Sequence, residues 1–238
     1  MSEPTPEIPV APDLIAPEPS AWSQVYESRR EVQRTARTIW QVPLRRRWSD
    51  VLLQETAPGA AGPGTLAAGS LLDVGAGDRR LAQWWARERP GAEYRSLDLD
   101  PAGGHDYHHL RELDRDFEAL CALEWVEHLG LAEAESAVAG LAEHLRPGGV
   151  MVLSTPNVYY PPAYLRDCTH RTPFCYDELG GLMLRAGLED VRCYRLHQEP
   201  WVWKLLRRGL LAPLHRMLGI DFARQIAVVG RRPGGEAD

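Results

Sequence analysis

The chain has 238 residues, of which 44 % are hydrophobic and 25 % charged, and its formal net charge is −6. A chain of this length and composition can bury a substantial core and is not expected to be disordered as a whole. The acidic balance argues against a surface devoted to nucleic acid, so we expect no DNA partner.

The targeting and cysteine patterns indicate a reducing compartment. The first residues lack the charged and then apolar pattern of a signal peptide, and no apolar run approaches the roughly 20 residues that cross a bilayer. The four cysteines show no C-x-x-C pair, so we expect no zinc site but reduced, packed thiols; they are Cys121, Cys168, Cys175 and Cys193. The predicted location is the cytoplasm.

The chain before residue 70 differs in composition from the rest. Residues 1–20 contain six prolines among acidic and small residues, which predicts a disordered tail. From Trp22 the apolar residues follow a helical stripe through Val32 and Ala36, and we interpret the arginines between positions 29 and 47 as a solvated face. Glycines and prolines over 55–69 predict a linker. We therefore divide the chain into a tail (1–20), an N-terminal helical segment with its linker (21–69) and a main domain (70–238).

Strands and helices alternate through the main domain. Helices are predicted over 79–88, along an apolar stripe over 134–145 that Arg146-Pro147-Gly148-Gly149 should end, and from an Asp177 cap to Gly187. The predicted strands are 70–74, 94–97, 117–123, 150–154, 189–196 and 225–229. This alternation predicts an α/β fold with a mainly parallel sheet that is covered on both faces.

A glycine turn follows the first of these strands, in the run Asp73-Val74-Gly75-Ala76-Gly77-Asp78. Glycine lets the backbone turn tightly and lets a ligand approach closely. The second strand ends at Asp98, 21 residues after Gly77, where a carboxylate can accept both hydrogen bonds of a ribose diol. Both features predict a nucleotide-type ligand at the carboxyl ends of the strands.

The residues around the turn favour a cationic ligand over a dinucleotide. Arg80 stands where a dinucleotide site has its third glycine, and the carboxylates of Asp73 and Asp78 would repel a pyrophosphate. The same carboxylates suit a ligand with an ammonium group and no phosphates. S-adenosylmethionine is such a ligand.

Four segments in order, LLDVGAGDRRLAQWW, YRSLDLDP, FEALCALEWVEHL and LRPGGVMVLSTPN, resemble the successive motifs of class I S-adenosylmethionine-dependent methyltransferases. The resemblance spans roughly 70–195 and is strongest to the bacterial group that includes the ubiquinone-pathway O-methyltransferases. It implies a Rossmann-like, mainly parallel seven-stranded sheet with helices on both faces, an N-terminal helix and a C-terminal helical insertion.

The resemblance also assigns cofactor contacts, residue by residue. Asp73, Gly75, Ala76 and Gly77 would hold the amino-acid end of S-adenosylmethionine, and Asp98 would hold the ribose. Leu99 would pack on the adenine. The remaining predicted contacts are Asp106 or Tyr107 at the border of the adenine, and Leu123 and Glu124 at the end of the fourth motif strand. The run HDYHHLREL between Asp98 and Phe117 shows no clear strand.

Candidate catalytic residues follow the strand that ends at Leu123. A histidine at this rim could act as a general base on a hydroxyl, so we predict catalytic roles for Glu127, His128 and His170, the last on a loop over the same mouth. In the alternative interpretation Glu127 and His128 begin a helix and bind its backbone. The set Glu124, Glu127, His128 and His170 also resembles the divalent-metal ligands of small-RNA 2′-O-methyltransferases, but we favour a site without metal.

The segment 201–218 reads WVWKLLRRGLLAPLHRML, with an apolar stripe and a basic face that Pro213 should split into two helices. Such a segment suits either a lid or edge helix whose leucines pack on the sheet, which we favour, or peripheral contact with a membrane.

The predicted function is methyl transfer to the hydroxyl of a small or carrier-linked acceptor, such as a saccharide or a quinone-type phenol. The alternatives are metal-assisted RNA 2′-O-methylation, which the net acidity disfavours, and a non-catalytic cofactor-binding protein.

Overall fold

The computed structural model of the chain describes residues 19–60, 67–198 and 201–234. The predicted tail lies outside the described residues up to position 18, and so does the centre of the predicted linker. The helices are α1 (Pro19–Thr35), α2 (Trp48–Glu55), α3 (Arg80–Glu88), α4 (Leu131–Glu143), α5 (Pro161–Leu165), α6 (Tyr176–Arg185), α7 (Trp201–Gly209) and α8 (Ala212–Met217). The strands are β1 (Leu44–Arg45), β2 (Ser70–Val74), β3 (Glu93–Leu97), β4 (Phe117–Leu123), β5 (Leu145–Pro156), β6 (Glu189–Leu196) and β7 (Gln225–Arg231).

The seven strands form one sheet in the order β1-β6-β7-β5-β4-β2-β3. All neighbours are parallel except β7, which runs antiparallel to both β5 and β6. The chain reverses its direction of travel across the sheet between β2 and β4, so the crevice at their carboxyl ends is the expected ligand site of such a fold. The predicted seven-stranded, mainly parallel, Rossmann-like sheet is confirmed.

The strand predictions are confirmed, three of them to the residue, while β3, β5 and β7 are longer than predicted. The seventh strand is β1, which the sequence did not reveal because two residues carry no periodicity. It lies at the edge of the sheet beside β6. The run HDYHHLREL contributes only an isolated bridge between Leu97 and Tyr107, as its lack of a strand pattern predicts.

Two helix predictions need correction. Helix α4 ends at Glu143, and the stretch from Leu145 through Gly149 opens strand β5, because Leu145 pairs with Phe117 of β4. The N-cap of α6 is Cys175 rather than Asp177. The buried Asp177 carboxylate instead accepts a 2.6 Å hydrogen bond from Gln33 of α1, since α1 packs against α6. Gly187 follows α6 with φ +80°, as predicted for its C′ position.

Apolar side chains cover both faces of the sheet. Helices α4 and α6 bury Val138, Leu141 and Leu182 on one face. On the other face, α2 and α3 bury Leu52 and Trp85, both without exposed surface. Each fully buried side chain of this size contributes about 1.5–3 kcal/mol, so the two layers together fix the strand ends in place.

The N-terminal segment belongs to the same sheet. Val32, Ala36 and Ile39 are buried against α6 and β7 residues, as the helical stripe predicts. Of the arginines in this segment, Arg29 is not solvated but pairs with Asp177 and Glu178.

Two further predictions, that Cys168 is packed and that the leucines of 201–218 pack on the sheet, are wrong. Cys168 is exposed rather than packed. The segment 201–218 forms two helices, as Pro213 predicts, but most of its leucines do not pack on the sheet: Leu205, Leu210 and Leu214 are 69 %, 74 % and 46 % exposed. Within the described ranges, no helix is long and apolar enough to span a membrane.

Candidate active site

The glycine turn joins β2 to α3 and lies against the end of β3. The Gly75 amide donates a 2.8 Å hydrogen bond to the Leu97 carbonyl, and Gly75 has φ +68°. A Cβ at Gly75 would lie 2.6 Å from Cδ1 of Trp125. Glycine is therefore required here both by the backbone conformation and by the ring that closes over the turn. Trp125, which the sequence did not single out, connects the turn with the end of β4.

Asp98 is tied to the same turn. Its Oδ2 accepts a 2.8 Å hydrogen bond from the Gly77 amide, and its Oδ1 accepts one of 3.0 Å from the Asp100 amide. Burial opposes ionisation of this carboxyl, but the two amide bonds outweigh it and hold its pKa below the usual value. Asp98 is thus an ionised acceptor at the end of β3, with lone pairs left for a diol.

Asp73 is the buried carboxylate of β2. It accepts a 2.7 Å hydrogen bond from the Tyr94 hydroxyl, and the Cys121 thiol lies 3.6 Å away. Burial raises the pKa of Asp73 to about 6, although the hydrogen bond from Tyr94 opposes the rise. The partner Tyr94 was not predicted, because pairing across neighbouring strands is decided by register. Asp78, in contrast, is exposed and pairs with Arg80.

The residues predicted at the adenine lie at the carboxyl end of β3. Leu99 is 72 % exposed, so its side chain is free to cover a flat ring. Asp106 is bound to β3, accepting hydrogen bonds from the Ser96 amide at 2.9 Å and from Arg95 at 2.8 Å. Burial opposes ionisation of Asp106, but these bonds hold its pKa below the usual value. Tyr107 accepts a backbone bond from Asp98 and donates its hydroxyl to Asp114.

Leu123 ends β4, and Glu124 turns the chain out of the sheet. Glu124 has φ +52°, and its amide donates to the Ser154 carbonyl of β5 at 3.0 Å. Its Oε1 accepts from the Ser154 hydroxyl at 3.2 Å, and burial raises the pKa of its carboxyl. Strain in a non-glycine residue at such a position is typical of functional sites.

The three predicted catalytic side chains lie together beyond Glu124. One potential ligand atom from each of Glu127, His128 and His170 lies within 4.8 Å of the other two. The Glu127 carboxylate is fully buried, and neither oxygen has a hydrogen-bond partner of normal geometry. Burial, reinforced by the nearby Glu124, raises the pKa of Glu127 to about 8, and the Thr155 hydroxyl offsets only part of this rise.

The hydrogen bonds of both histidines assign their tautomers. Nδ1 of His170 lies 2.8 Å from the Tyr164 carbonyl, which can only accept, so Nδ1 carries the proton. Nδ1 of His128 lies 3.0 Å from the Thr169 hydroxyl, which itself donates to Asp167 at 2.7 Å. In their neutral forms, both rings therefore keep the lone pair on Nε2. The rings stack edge to face, with centroids 5.0 Å apart.

The loop that carries His170 is held over the end of β4 by the backbone. The amides of Arg171 and Thr172 both donate to the Glu127 carbonyl, at 2.7 and 3.1 Å. The predicted placement of His170 over the same mouth as His128 agrees with this geometry. Helix α4 takes its own capping bond from Glu133, which accepts from the Gly130 amide at 2.7 Å. Glu127 and His128 lie in a 3-10 turn, Val126–His128, just before α4, so they do not cap that helix, and their catalytic roles stay a prediction.

A cleft of about 660 Å³ opens at Glu124, three residues before Glu127 in the chain, and is large enough for a small acceptor. Glu124 forms its inner wall, and helix α5 with the chain on either side of the α7–α8 segment forms its rim. Its lining residues are Glu124, Tyr160, Pro162, Ala163, Arg166, Leu196, Gln198, Arg224 and Gln225. A second cleft, of about 420 Å³, lies at the opposite edge of the sheet, near Glu55 and Pro147, away from the strand ends that carry the predicted residues.

The cluster also fits a divalent cation. Two imidazole nitrogens with free lone pairs and one carboxylate form a ligand set that first-row metals accept, and a buried carboxylate without a partner gains most from a cation. Partners such as Thr169 and Tyr164 orient the rings as outer-shell groups do in metal sites. Of the four residues in the predicted set, Glu124 is not part of this arrangement.

Comparison with known proteins decides the family. The profile described as "Methyltransferase domain" matches residues 41–192, well over half of the chain. The chain belongs to this methyltransferase family. It is a class I, S-adenosylmethionine-dependent methyltransferase, as the sequence motifs indicate. A search of curated proteins found no match.

Solved structures share the fold of this methyltransferase at low sequence identity. A SAM-dependent methyltransferase from Archaeoglobus fulgidus has a TM-score of 0.60 at 14 % identity, with 77 % of this chain and 90 % of that one covered. A putative methyltransferase from Haloferax volcanii, in complex with the Trm112 activator, has a TM-score of 0.55 at 13 % identity over 92 % and 97 %. The Haemonchus contortus phosphoethanolamine N-methyltransferase 2 has a TM-score of 0.54 at 13 % identity over 78 % and 53 %.

Proposed function

We propose that this methyltransferase transfers the methyl group to a hydroxyl oxygen of a small or carrier-linked acceptor, such as a saccharide or a quinone-type phenol. The observation that carries the proposal is the group of Glu127, His128 and His170, which follows in sequence or packs behind Glu124 at the cleft wall. A hydroxyl must lose its proton as it is methylated, and in the neutral form of both histidines the lone pair on Nε2 can accept that proton.

In the proposed cofactor site, Asp73 and the glycine turn hold the amino-acid end and Asp98 holds the ribose. S-adenosylmethionine supplies a methyl group on a sulfonium, which is already activated for transfer. Asp98 supports this placement because it is an ionised acceptor fixed to the turn. Leu99, Tyr107, Leu123 and Glu124 would line the remainder of the site, since all lie at the carboxyl ends of β3 and β4.

The residues of this chain then position and deprotonate the acceptor. The cleft would hold the acceptor with its hydroxyl directed at the cluster. Nε2 of His128 would accept the hydroxyl proton while the methyl carbon passes from the sulfonium sulfur, which leaves as a neutral thioether, to the hydroxyl oxygen. Thr169 and Asp167 hold the ring of His128 in the required tautomer. Alignment of acceptor and methyl group supplies much of the rate, because it converts a bimolecular step into a local one.

The first measurement is a thermal melt with S-adenosylhomocysteine, with NADH and ATP as controls. A ligand at 100 times its dissociation constant adds about 2.7 kcal/mol, which shifts the melting temperature by roughly 5–10 °C. We expect stabilisation by S-adenosylhomocysteine alone. An unchanged melt at millimolar S-adenosylhomocysteine would contradict the proposed cofactor site.

The acceptor class is tested by S-adenosylhomocysteine release in the presence of phenols, saccharides and amines. We expect turnover with a hydroxyl acceptor, and a His128→Ala variant that binds S-adenosylhomocysteine normally but transfers the methyl group about 10²–10⁴ times more slowly. Turnover with amines alone, or a His128→Ala variant of unchanged rate, would rule out hydroxyl methylation through this cluster.

The convergence of three ligand atoms favours a second candidate, metal-assisted methyl transfer to a hydroxyl, of which RNA 2′-O-methylation is one form. Glu127, His128 and His170 would hold the cation, which would lower the pKa of the acceptor hydroxyl. Arg29 no longer supports RNA binding, because Asp177 and Glu178 neutralise it. Activity that is lost on dialysis against a chelator and restored by a divalent metal, together with methylation of short RNA, would favour this candidate.

A further inference from the structure

Helices α7 and α8, together called the α7–α8 hairpin, lie in the chain between two stretches that line the proposed acceptor cleft. Leu196 and Gln198 line the cleft just before the hairpin, and Arg224 and Gln225 line it just after. The hairpin therefore projects from the rim of the cleft. Any surface on which the hairpin docks also lies at the entrance to the cleft.

The base of the hairpin is fixed to the rest of the fold. The indole N–H of Trp40 donates to the Ile220 carbonyl at 3.2 Å, and the Asp221 amide donates to the Tyr159 carbonyl at 2.7 Å. The buried pair of Arg195 with Asp221, at 2.9 Å, anchors the same stretch. The hairpin thus stands on a rigid base.

The hairpin exposes a concentration of large apolar side chains that is unusual for this protein. Most of the large hydrophobic side chains that stand exposed on the described part of the chain belong to it, and Met217 is 76 % exposed. They are Val202, Trp203, Leu205, Leu210, Leu214, Met217 and Leu218. A concentration of exposed apolar side chains in one short segment is typical of an interaction site.

The charge of the segment identifies the partner. Residues 201–218 contain four lysines and arginines and no acidic residue, in a chain whose net charge is −6. A C2 dimer through this surface would bring two such basic segments face to face, and like charges repel. An anionic lipid surface, in contrast, accepts apolar side chains and basic groups together, with tryptophan at the level of the headgroups.

We propose that the α7–α8 hairpin docks this methyltransferase on an anionic membrane surface and thereby holds the mouth of its acceptor cleft at the lipid headgroups. Docking is reversible, because two short amphipathic helices lie in the interface and do not cross it. Entry of an acceptor from the membrane rests on the proposed function of the cleft. Membrane docking itself does not.

The test is flotation of the full chain with two kinds of vesicle, one of phosphatidylcholine alone and one of phosphatidylcholine mixed with phosphatidylglycerol. We expect the protein to float with the mixed vesicles and not with the neutral ones, and to be released by high salt. Changing Leu210→Glu and Met217→Glu together should weaken vesicle binding at least about ten-fold. Both side chains are more than 70 % exposed, so the fold should tolerate the change.

The matched control is Leu131→Glu, an exposed leucine in the first turn of α4, where a carboxylate suits the helix dipole. It should float like the unmodified protein. All variants should keep their melting-temperature shift with S-adenosylhomocysteine, which separates loss of docking from failure of the proposed cofactor site.

Two results would overturn the proposal. One is an unmodified protein that fails to float with anionic vesicles. The other is a dimer in size-exclusion chromatography that Leu210→Glu converts to a monomer, because a second copy would then cover the hairpin.

Discussion

The Tyr94 hydroxyl donates a 2.7 Å hydrogen bond to Asp73, which places a buried carboxylate and its donor at the amino-acid end of the proposed cofactor site. The bond keeps Asp73 oriented in the absence of a cation. It also opposes, without cancelling, the effect of burial that raises the pKa of Asp73 to about 6. Ionisation of Asp73 near neutral pH is therefore sensitive to its environment.

We predict that S-adenosylhomocysteine binds more tightly as the pH rises through about 6, because the ligand ammonium pairs with the ionised form of Asp73 only. Below that pH the dissociation constant should increase, approaching tenfold per pH unit. Titration calorimetry between pH 5 and 8 measures this dependence. An Asp73→Asn variant cannot ionise and should give a flat and weaker profile, so a variant with the same pH dependence would assign the effect to another group.

In the cofactor-free protein, the raised pKa of Asp73 makes the unfolding free energy fall, not rise, as the pH increases. The native state holds the Asp73 proton more tightly than the unfolded chain, so its contribution to the unfolding free energy is largest below about pH 4. This contribution is lost as the pH rises to about 6. Denaturant unfolding of the cofactor-free protein should show a steeper loss of stability over this range than the Asp73→Asn variant shows.

Asp98→Ala should weaken S-adenosylhomocysteine binding by about 1.5–3 kcal/mol, because it removes a charged acceptor from the ribose and from the Gly77 amide. The control is Asp100→Ala, whose carboxylate accepts a hydrogen bond from the Ala102 amide in the same turn. Fluorescence titration of both variants with S-adenosylhomocysteine measures the two affinities. Equal affinities for Asp98→Ala and the unmodified protein would mean that the ribose lies elsewhere.

Gly75→Ala should destabilise the protein by about 2–5 kcal/mol, because the new Cβ meets both a positive φ and the Trp125 ring. Gly91→Ala measures the energetic cost of the positive φ alone, since Gly91 has φ +83° and open space around it. It should cost only about 1–2 kcal/mol. Chemical denaturation gives both values, and similar losses for the two variants would show that Trp125 moves aside.

Thr169→Val should slow methyl transfer about ten-fold or more, because His128 loses the partner that fixes its tautomer and orientation. Cofactor affinity should stay unchanged, and Thr169→Ser should restore the rate, since serine keeps the hydroxyl. The pH profile of kcat should also shift for the valine variant. A rate that neither substitution changes would remove Thr169 from the positioning role.

Asp221→Ala should destabilise the fold by about 3–5 kcal/mol, lowering the melting temperature on the order of 10 °C, because it leaves Arg195 buried without its counter-charge. Glu31→Ala, which removes the exposed partner of Arg34 on α1, is the matched control and should have little effect. Differential scanning calorimetry distinguishes the two cases.

The strand pattern, the glycine turn and Asp98 could be predicted from sequence because each depends on local chemistry. Short apolar runs between glycines and prolines predict buried strands, and a glycine at φ +68° is a local backbone requirement. Similar reasoning placed His128 and His170 at one mouth of the sheet, where the structure brings their side chains together, and their catalytic roles stay predictions.

Other features depend on contacts between distant parts of the chain and could not be predicted. Strand β1 exists only because β6 offers it a free edge, and Asp177 does not cap α6 because α1 supplies Gln33 and Arg29. Strand β5 begins at Leu145 because β4 offers a pairing partner there, which overrides the helical pattern.

The sequence by itself thus determined the fold class, because strand periodicity and turn chemistry are local properties, and its four ordered motifs indicated the methyltransferase family by resemblance. Only the tertiary structure decided that Glu127 is buried beside His128 and His170, that Tyr94 serves Asp73, and that the leucines of the α7–α8 hairpin face outward. Burial and partner choice are properties of the assembled sheet, and an amphipathic helix carries the same pattern whether its apolar face meets a core or a membrane.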